Sequence, residues 1–203
     1  MLLINILGVI LAGVAGYLLG SVNTSLVAGK FYGVDVRQYG SRNAGLTNVL
    51  RTLGKKAAVF VLIGDVLKGV LSCVSGMLLA GDAGAMAGGA AAVAGHNWPV
   101  FFGFKGGKGA LTSIAVVFML DWRIGLLLLA VFGAAVAATR YVSLSSMLGA
   151  ASFPVLSIIF NKNTEFIIFA LFIGLLAIAR HRSNIERIFA GTEAKLGEKK
   201  KNI

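Results

Sequence analysis

The 203-residue chain carries 19 Lys and Arg against 8 Asp and Glu, yet only 13% of it is charged, 57% is hydrophobic and the mean hydropathy is +0.85. Soluble domains average about 25% charged residues, so this composition excludes one. The formal charge of +11 sits beside long uncharged apolar segments, which excludes a nucleic-acid-binding domain. The chain reads as an all-α integral membrane protein, a single polytopic domain over residues 1–203 with a short basic tail from about residue 190.

In chain order, apolar segments predict spans near residues 2–28, 57–80, 84–97, 109–121, 124–140, 143–160 and 166–180, about seven transmembrane helices. The first contains no Lys or Arg, so it is expected to be a permanent span instead of a cleaved signal peptide with a basic start. The third and fourth are short, which leaves five spans plus a re-entrant pair as the alternative. Charge placement favours seven. On that count loops 29–56, 98–108 and 141–142, the adjoining Arg140 and the tail from Arg180 share one side with sixteen Lys or Arg, against Arg123 and Lys162 opposite. The basic side is cytoplasmic by the positive-inside rule, which puts the N-terminus outside and the C-terminus in the cytoplasm.

The second span holds Asp65 and Lys68, three residues apart and therefore on one helical face. A proton relay would need more ionisable groups deeper in the bundle, so a mutually neutralising pair is the preferred reading. Cys73, the single cysteine, precludes an intrachain disulfide and reads as a small hydrophobe. The small residues of "AGAMAGGAAAVAG" read as close helix packing, and no internal repeat of the transporter kind is visible.

Three polar clusters fall on the predicted cytoplasmic face: "GVDVRQYGSRNAGLTNVLR" at 33–51, "GHNWPVFFGFKGGKGALTS" at 95–113 and "ARHRSNIERIFAGTE" at 179–193, with a fourth, "RYVSLSSM", opening at Arg140. Ser, Asn, Thr, Gly and His accompany the charges, a set of donors suited to an anionic, oxygen-rich ligand. The glycine-lysine stretch is not a nucleotide P-loop. With Gly107-Lys108 in register, Phe102 stands at the first glycine and Gly109 at the metal-binding hydroxyl. There is no G-x-S-x-G elbow, zinc-like cluster or paired-carboxylate site, so neither metal nor cofactor is expected. His181 and Glu186 lie about 140° apart on a continuous helix, which argues against an acid-base dyad.

The segments "GSRNAGLTNVLR", "GHNWPVFFGFKGGKGALT" and "RHRSNIERIFAGTE", in this order and spacing, resemble the three motifs of the bacterial membrane-integral acyl-phosphate:glycerol-3-phosphate acyltransferases. The resemblance covers essentially the whole chain. Arg42 departs from the family's usual glycine, which could alter phosphate affinity, and Ile188 from a common leucine. The resemblance implies acyl transfer from acyl phosphate to the 1-hydroxyl of sn-glycerol 3-phosphate, giving lysophosphatidic acid and phosphate. It implies a place in the bacterial cytoplasmic membrane beside membrane lipid, with the active site facing the cytoplasm, and a functional link to the soluble enzyme that makes acyl phosphate.

Matched residue by residue, the resemblance points to His181, Asn184, Lys108 and Ser41 as catalytic. It points to Arg51, Asn43, Thr47, Asn48, Lys105, Gly106, Gly107, Gly109, Ser143 and Ser146 as substrate-binding. Lys108 with the N–H groups of Gly106, Gly107 and Gly109 forms the expected phosphate cradle. His96 and Pro99 are expected to shape a helix end. Asn43 and Thr47 serve equally well as loop caps, and Ser143 as a helix cap. A small-anion membrane transporter is the alternative of another class, but it would hold its ligand near the bilayer midplane with access from both sides. A structural scaffold gives no reason for phosphate-type clusters in three separate loops.

Overall fold

The computed structural model describes residues 2–198, with side chains from residue 6. It is helical, with no strand among the described residues. Its contacts cluster into two compact units, residues 1–120 and 121–203.

The first unit comprises α1 (Leu2–Ser21), α2 (Thr24–Phe31), α3 (Leu46–Thr52), α4 (Lys55–Asn97) and α5 (Ala110–Leu120). The long α4 is a hairpin of two helical arms. Gly81 adopts φ +60 beside Ala80 at φ −153, and the arms return on each other so closely that a Cβ on Gly76 or Gly84 would strike the other's carbonyl. A small residue every fourth position in α1, at Gly8, Ala12, Gly16 and Gly20, makes a flat face. Gly16 lies directly on Gly88, and Gly20 on Ala92, so α1 runs parallel to the second arm at backbone contact. In lipid no hydrophobic force drives helices together, so small residues admitting close van der Waals contact do the joining.

Beyond this packing, Leu26, Ala28, Val36, Ala44, Val49, Ala57 and Val61 form a buried cluster backed by Leu46, Leu53 and Phe102. It anchors α2, α3 and the loop between them on the start of α4.

The second unit is α6 (Trp122–Thr139), α7 (Val142–Ile159), α8 (Thr164–Arg180) and α9 (Arg182–Phe189). Asp121 caps α6, accepting from the N–H groups of Arg123 at 2.9 Å and Ile124 at 3.3 Å, and pairs with Lys162 Nζ at 2.7 Å. Burial by itself would raise this carboxyl, but hydrogen bonds from Arg123, Lys162 and the two N–H groups hold it well below the usual carboxylate range. Edge-to-face rings of Phe153, Phe166 and Phe169 lock α7 to α8, with Phe153 5.9 and 6.1 Å from its partners. Asn163 caps α8 through Phe166 N at 3.0 Å.

Among the described residues, four helices are long and apolar enough to cross a membrane, with a fifth if α8 and α9, bent by 53°, count as one. The segment expected as a span near 109–121 is the 11-residue α5, about 16 Å long against a hydrocarbon layer of about 30 Å. The expected span at 84–97 is the second arm of the α4 hairpin, contained within the single apolar stretch Lys55–Phe102.

Candidate active site

In the first unit two loops meet. Arg37, gripped by Asp35 (Nη2–Oδ2 2.8 Å), donates through Nη1 to Phe102 O at 3.2 Å and Lys105 O at 2.9 Å, tying the loop after α2 to the glycine-lysine loop. The guanidinium holds the Asp35 carboxyl below its ordinary value. Tyr17 Oη donates to Trp98 O at 2.7 Å, which joins the end of α1 to the same region.

Asn48, 1% exposed, is a loop organiser. Its Oδ1 accepts Ser41 N at 2.8 Å and its Nδ2 donates to Val36 O at 2.8 Å and Tyr39 O at 3.1 Å. Ser41, Asn43 and Thr47 are half-buried around it, and Arg51 is exposed in the last turn of α3. Arg42 has φ +59, a left-handed backbone that favours glycine and gives a physical reason for the family's residue there.

The expected cradle of N–H groups needs correction. Gly106 N donates to Asn97 O at 3.2 Å and Gly107 N to His96 O at 3.1 Å, so these two donors hold the loop on the end of α4. The glycines are required by close approach: a Cβ on Gly106 would strike His96 O, and one on Gly107 would strike Ala44 O and His96 Nε2. Gly109, at φ +73, turns the chain into α5. What the loop presents is Lys108, half-buried immediately before a helix N-terminus, with Lys105 exposed beside it. An ammonium beside a helix start is a combination suited to an anion.

The second unit contains a separate polar cluster whose hub sequence reasoning missed. Glu193 Oε1 accepts from Ser143 Oγ and Asn184 Nδ2, each at 2.7 Å, while Oε2 accepts Arg187 Nε at 2.7 Å. Burial pushes the Glu193 carboxyl up, but these three bonds outweigh it and hold it below its ordinary value. Its position as the closing residue of the third motif, in a chain with 8 acidic residues, was the available signal. Ser143 therefore does not cap α7, where Tyr141 stands at the N-cap with no side-chain bond. Ser146 Oγ donates to Val142 O at 2.9 Å, so the hydroxyl protons of both serines are engaged inside the protein.

His181, 4% exposed, lies at the break between α8 and α9, not within a continuous helix. Its Nδ1 is 2.7 Å from Ala177 O. A carbonyl can only accept, so Nδ1 carries the proton and the neutral ring has its lone pair on Nε2. The tail docks in the same unit, with Leu196 N donating to Arg140 O at 2.7 Å and Arg140 Nη2 to Leu196 O at 2.9 Å. The tail's last five residues, 199–203, lie outside the described residues. No group of three or more His, Cys, Asp or Glu is placed to hold a metal among the described residues.

A family model described as glycerol-3-phosphate acyltransferase matches residues 10–191. A glycerol-3-phosphate acyltransferase of Thermoanaerobacter sp. (strain X514) is 48% identical over 191 residues, 94% of this chain and 96% of the relative. That of Clostridioides difficile (strain 630) is 46% identical over 203 aligned residues, 97% and 99% of the two chains. The crystal structure of PlsY, an integral membrane glycerol 3-phosphate acyltransferase in its glycerol 3-phosphate form, superposes with a TM-score of 0.88 at 38% identity, covering 93% of this chain and 96% of that one. Its lysophosphatidic acid form gives 0.85, with 93% and 95% covered. With the family model matching nearly the full length and the same three motifs carrying the two polar clusters, this chain belongs to the PlsY family of integral membrane glycerol-3-phosphate acyltransferases.

Proposed function

We propose that this chain transfers a fatty acyl group from acyl phosphate to the 1-hydroxyl of sn-glycerol 3-phosphate in the bacterial cytoplasmic membrane. The observation that carries the reading is the glycine loop, pinned by Arg37 and by His96 O so that Lys108 stands at the start of α5. Both proposed substrates and both products are phosphates, and the acyl chain needs a membrane. The hydroxyl oxygen attacks the acyl carbon, the bond from that carbon to the phosphate oxygen breaks with its electron pair leaving on phosphate, and the hydroxyl proton ends on the released phosphate. Phosphate is already a good leaving group, so no acyl-enzyme is needed and catalysis consists of positioning and charge stabilisation.

Lys108 is the principal phosphate ligand, with Lys105, Arg51, Ser41, Asn43 and Thr47 as further donors. Asn48, Gly106, Gly107 and Gly109 shape the loops that present them. In the second unit His181 Nε2 is the acceptor offered to a substrate hydroxyl, and Glu193 holds Asn184 in place. Ser146 contacts phosphate only after its hydroxyl leaves Val142 O, and Ser143 supports Glu193. The reading of seven crossings, an outside N-terminus and a cytoplasmic C-terminus is supported by the gathering of sixteen Lys and Arg on one side of that topology. A soluble enzyme that makes acyl phosphate supplies the donor, and the surrounding lipid receives the product.

The test incubates purified protein with glycerol 3-phosphate and either palmitoyl phosphate or palmitoyl-CoA. Lysophosphatidic acid forms with the phosphate donor and not with the thioester, because the short loops offer no domain for a nucleotide. Comparable rates with palmitoyl-CoA would overturn the donor assignment.

A further inference from the structure

Asp65 and Lys68 do pair, but a third group joins them. Lys68 Nζ lies 2.8 Å from Asp65 Oδ1, 2.8 Å from His96 Nδ1 and 3.3 Å from Val22 O, an acceptor for each of its three protons. Thr24 Oγ1, reaching in from α2, donates to the same carboxylate oxygen at 2.7 Å. The exposures of Asp65, Lys68 and His96 are 1%, 5% and 3%.

An ammonium has no lone pair, so His96 Nδ1 accepts and the ring proton sits on Nε2. That nitrogen faces the α-carbon of Gly107, where Ala44 O also arrives. The His96 carbonyl accepts Gly107 N at 3.1 Å and Asn23 Nδ2 at 3.4 Å. Charge neutralisation would be complete with Asp65 and Lys68 alone, whereas the imidazole continues the network from the interior of α4 to the junction of the two loops.

We propose that Asp65, Lys68 and His96 form a positioning network that fixes the tautomer and plane of the His96 ring, and through it the path of residues 106–109 against Ala44. None of the three touches substrate. The network sets how well Lys108 meets the acceptor's phosphate, which rests on the reading of this loop as a glycerol 3-phosphate site.

The test combines kinetics with a readout that needs no activity. Removing one ion alone would leave the other buried and unpaired, so Asp65→Leu/Lys68→Met removes both together. This variant is expected to raise KM for glycerol 3-phosphate about tenfold or more while kcat and KM for palmitoyl phosphate stay within about threefold. His96→Asn, which keeps an acceptor for Lys68 but loses the Nε2 edge, gives the same rise. Combining all three substitutions adds less than about threefold, because they act through one loop.

A spin label on Lys105→Cys in a Cys73→Ala background becomes more mobile in each variant. A lower unfolding temperature with unchanged KM and unchanged label mobility would show a purely structural pair and overturn the proposal. Should the double substitution prevent folding, His96→Asn and Thr24→Val supply the same measurements. Absence of lysophosphatidic acid from the unsubstituted protein would overturn the acyltransferase reading instead, while the label still decides whether the network holds the loop.

Discussion

At the scale of single residues, the informative groups are those whose protons the structure assigns. His181 has Nδ1–H committed to Ala177 O, so its Nε2 accepts, either orienting the glycerol hydroxyl or taking its proton. His181→Gln retains an amide oxygen that accepts a hydrogen bond but no base near neutral pH. For an orienting histidine it should cost turnover less than about tenfold and remain well above His181→Ala. A loss of about a hundredfold or more in both variants, in folded protein, would identify a general base. Glu193 carries a separate expectation in pH. Its folded carboxyl titrates below the ordinary 4.5, so its contribution is complete above that value and declines as pH falls through the lowered one. Thermal unfolding should therefore find Glu193→Gln less stable by about 1.5–3 kcal/mol at pH 7. That difference should shrink as the pH is taken below 4.5, and a gap that persists unchanged in acid would refute the charge-assisted role. Residue types announced both clusters, but not which side chains bind and which support. Asn48 is occupied by Val36, Tyr39 and Ser41 of its own loop, and Glu193 by Asn184 and Arg187 of its own motif together with the distant Ser143.

Among the elements, α1 and the α4 hairpin show how far pattern reading carries. The glycine and alanine runs announced close packing, and the four-residue spacing of Gly8, Ala12, Gly16 and Gly20 places it on one face of α1. Which glycines tolerate a side chain depends on what lies opposite. Gly16→Val would drive a side chain into the Gly88 backbone and should destabilise by about 1–3 kcal/mol or prevent folding. Gly13→Ala, with nothing within 4 Å of the added carbon, should be neutral or stabilise by about 0.5–1 kcal/mol. Equal losses from both in a thermal-shift assay would contradict this packing. The reversal at Ala80 and Gly81 was legible as a break between two apolar segments, whereas the break at His181 was not. Nothing in "LLAIARHRSNIERIF" interrupts helical periodicity, and beyond the turn Glu193 accepts hydrogen bonds from Asn184 and Arg187 of α9.

For the whole molecule, the remaining expectation is topological. Single cysteines at Thr164 and Thr192, in a Cys73→Ala background, should react with impermeant maleimide from opposite sides of the membrane. Reaction of both from one side would exclude the proposed crossing of α8. The amino-acid sequence by itself determined that this is a membrane protein, where its apolar segments run, and that phosphate-type polar residues gather in three loops. Those properties follow from local composition and from what a bilayer tolerates. It also determined the family, because three long motifs keep their order and spacing. Only the tertiary structure decided that Gly106 and Gly107 hold the loop with their N–H groups, that His96 completes the Asp65–Lys68 pair, and that Glu193 organises the third motif. Each depends on a hydrogen bond or close approach that only folding creates, the widest spanning the 28 positions between Lys68 and His96 and the 50 between Ser143 and Glu193. Spacing along a sequence carries no record of such contacts, since they exist only once packing has brought the partners together.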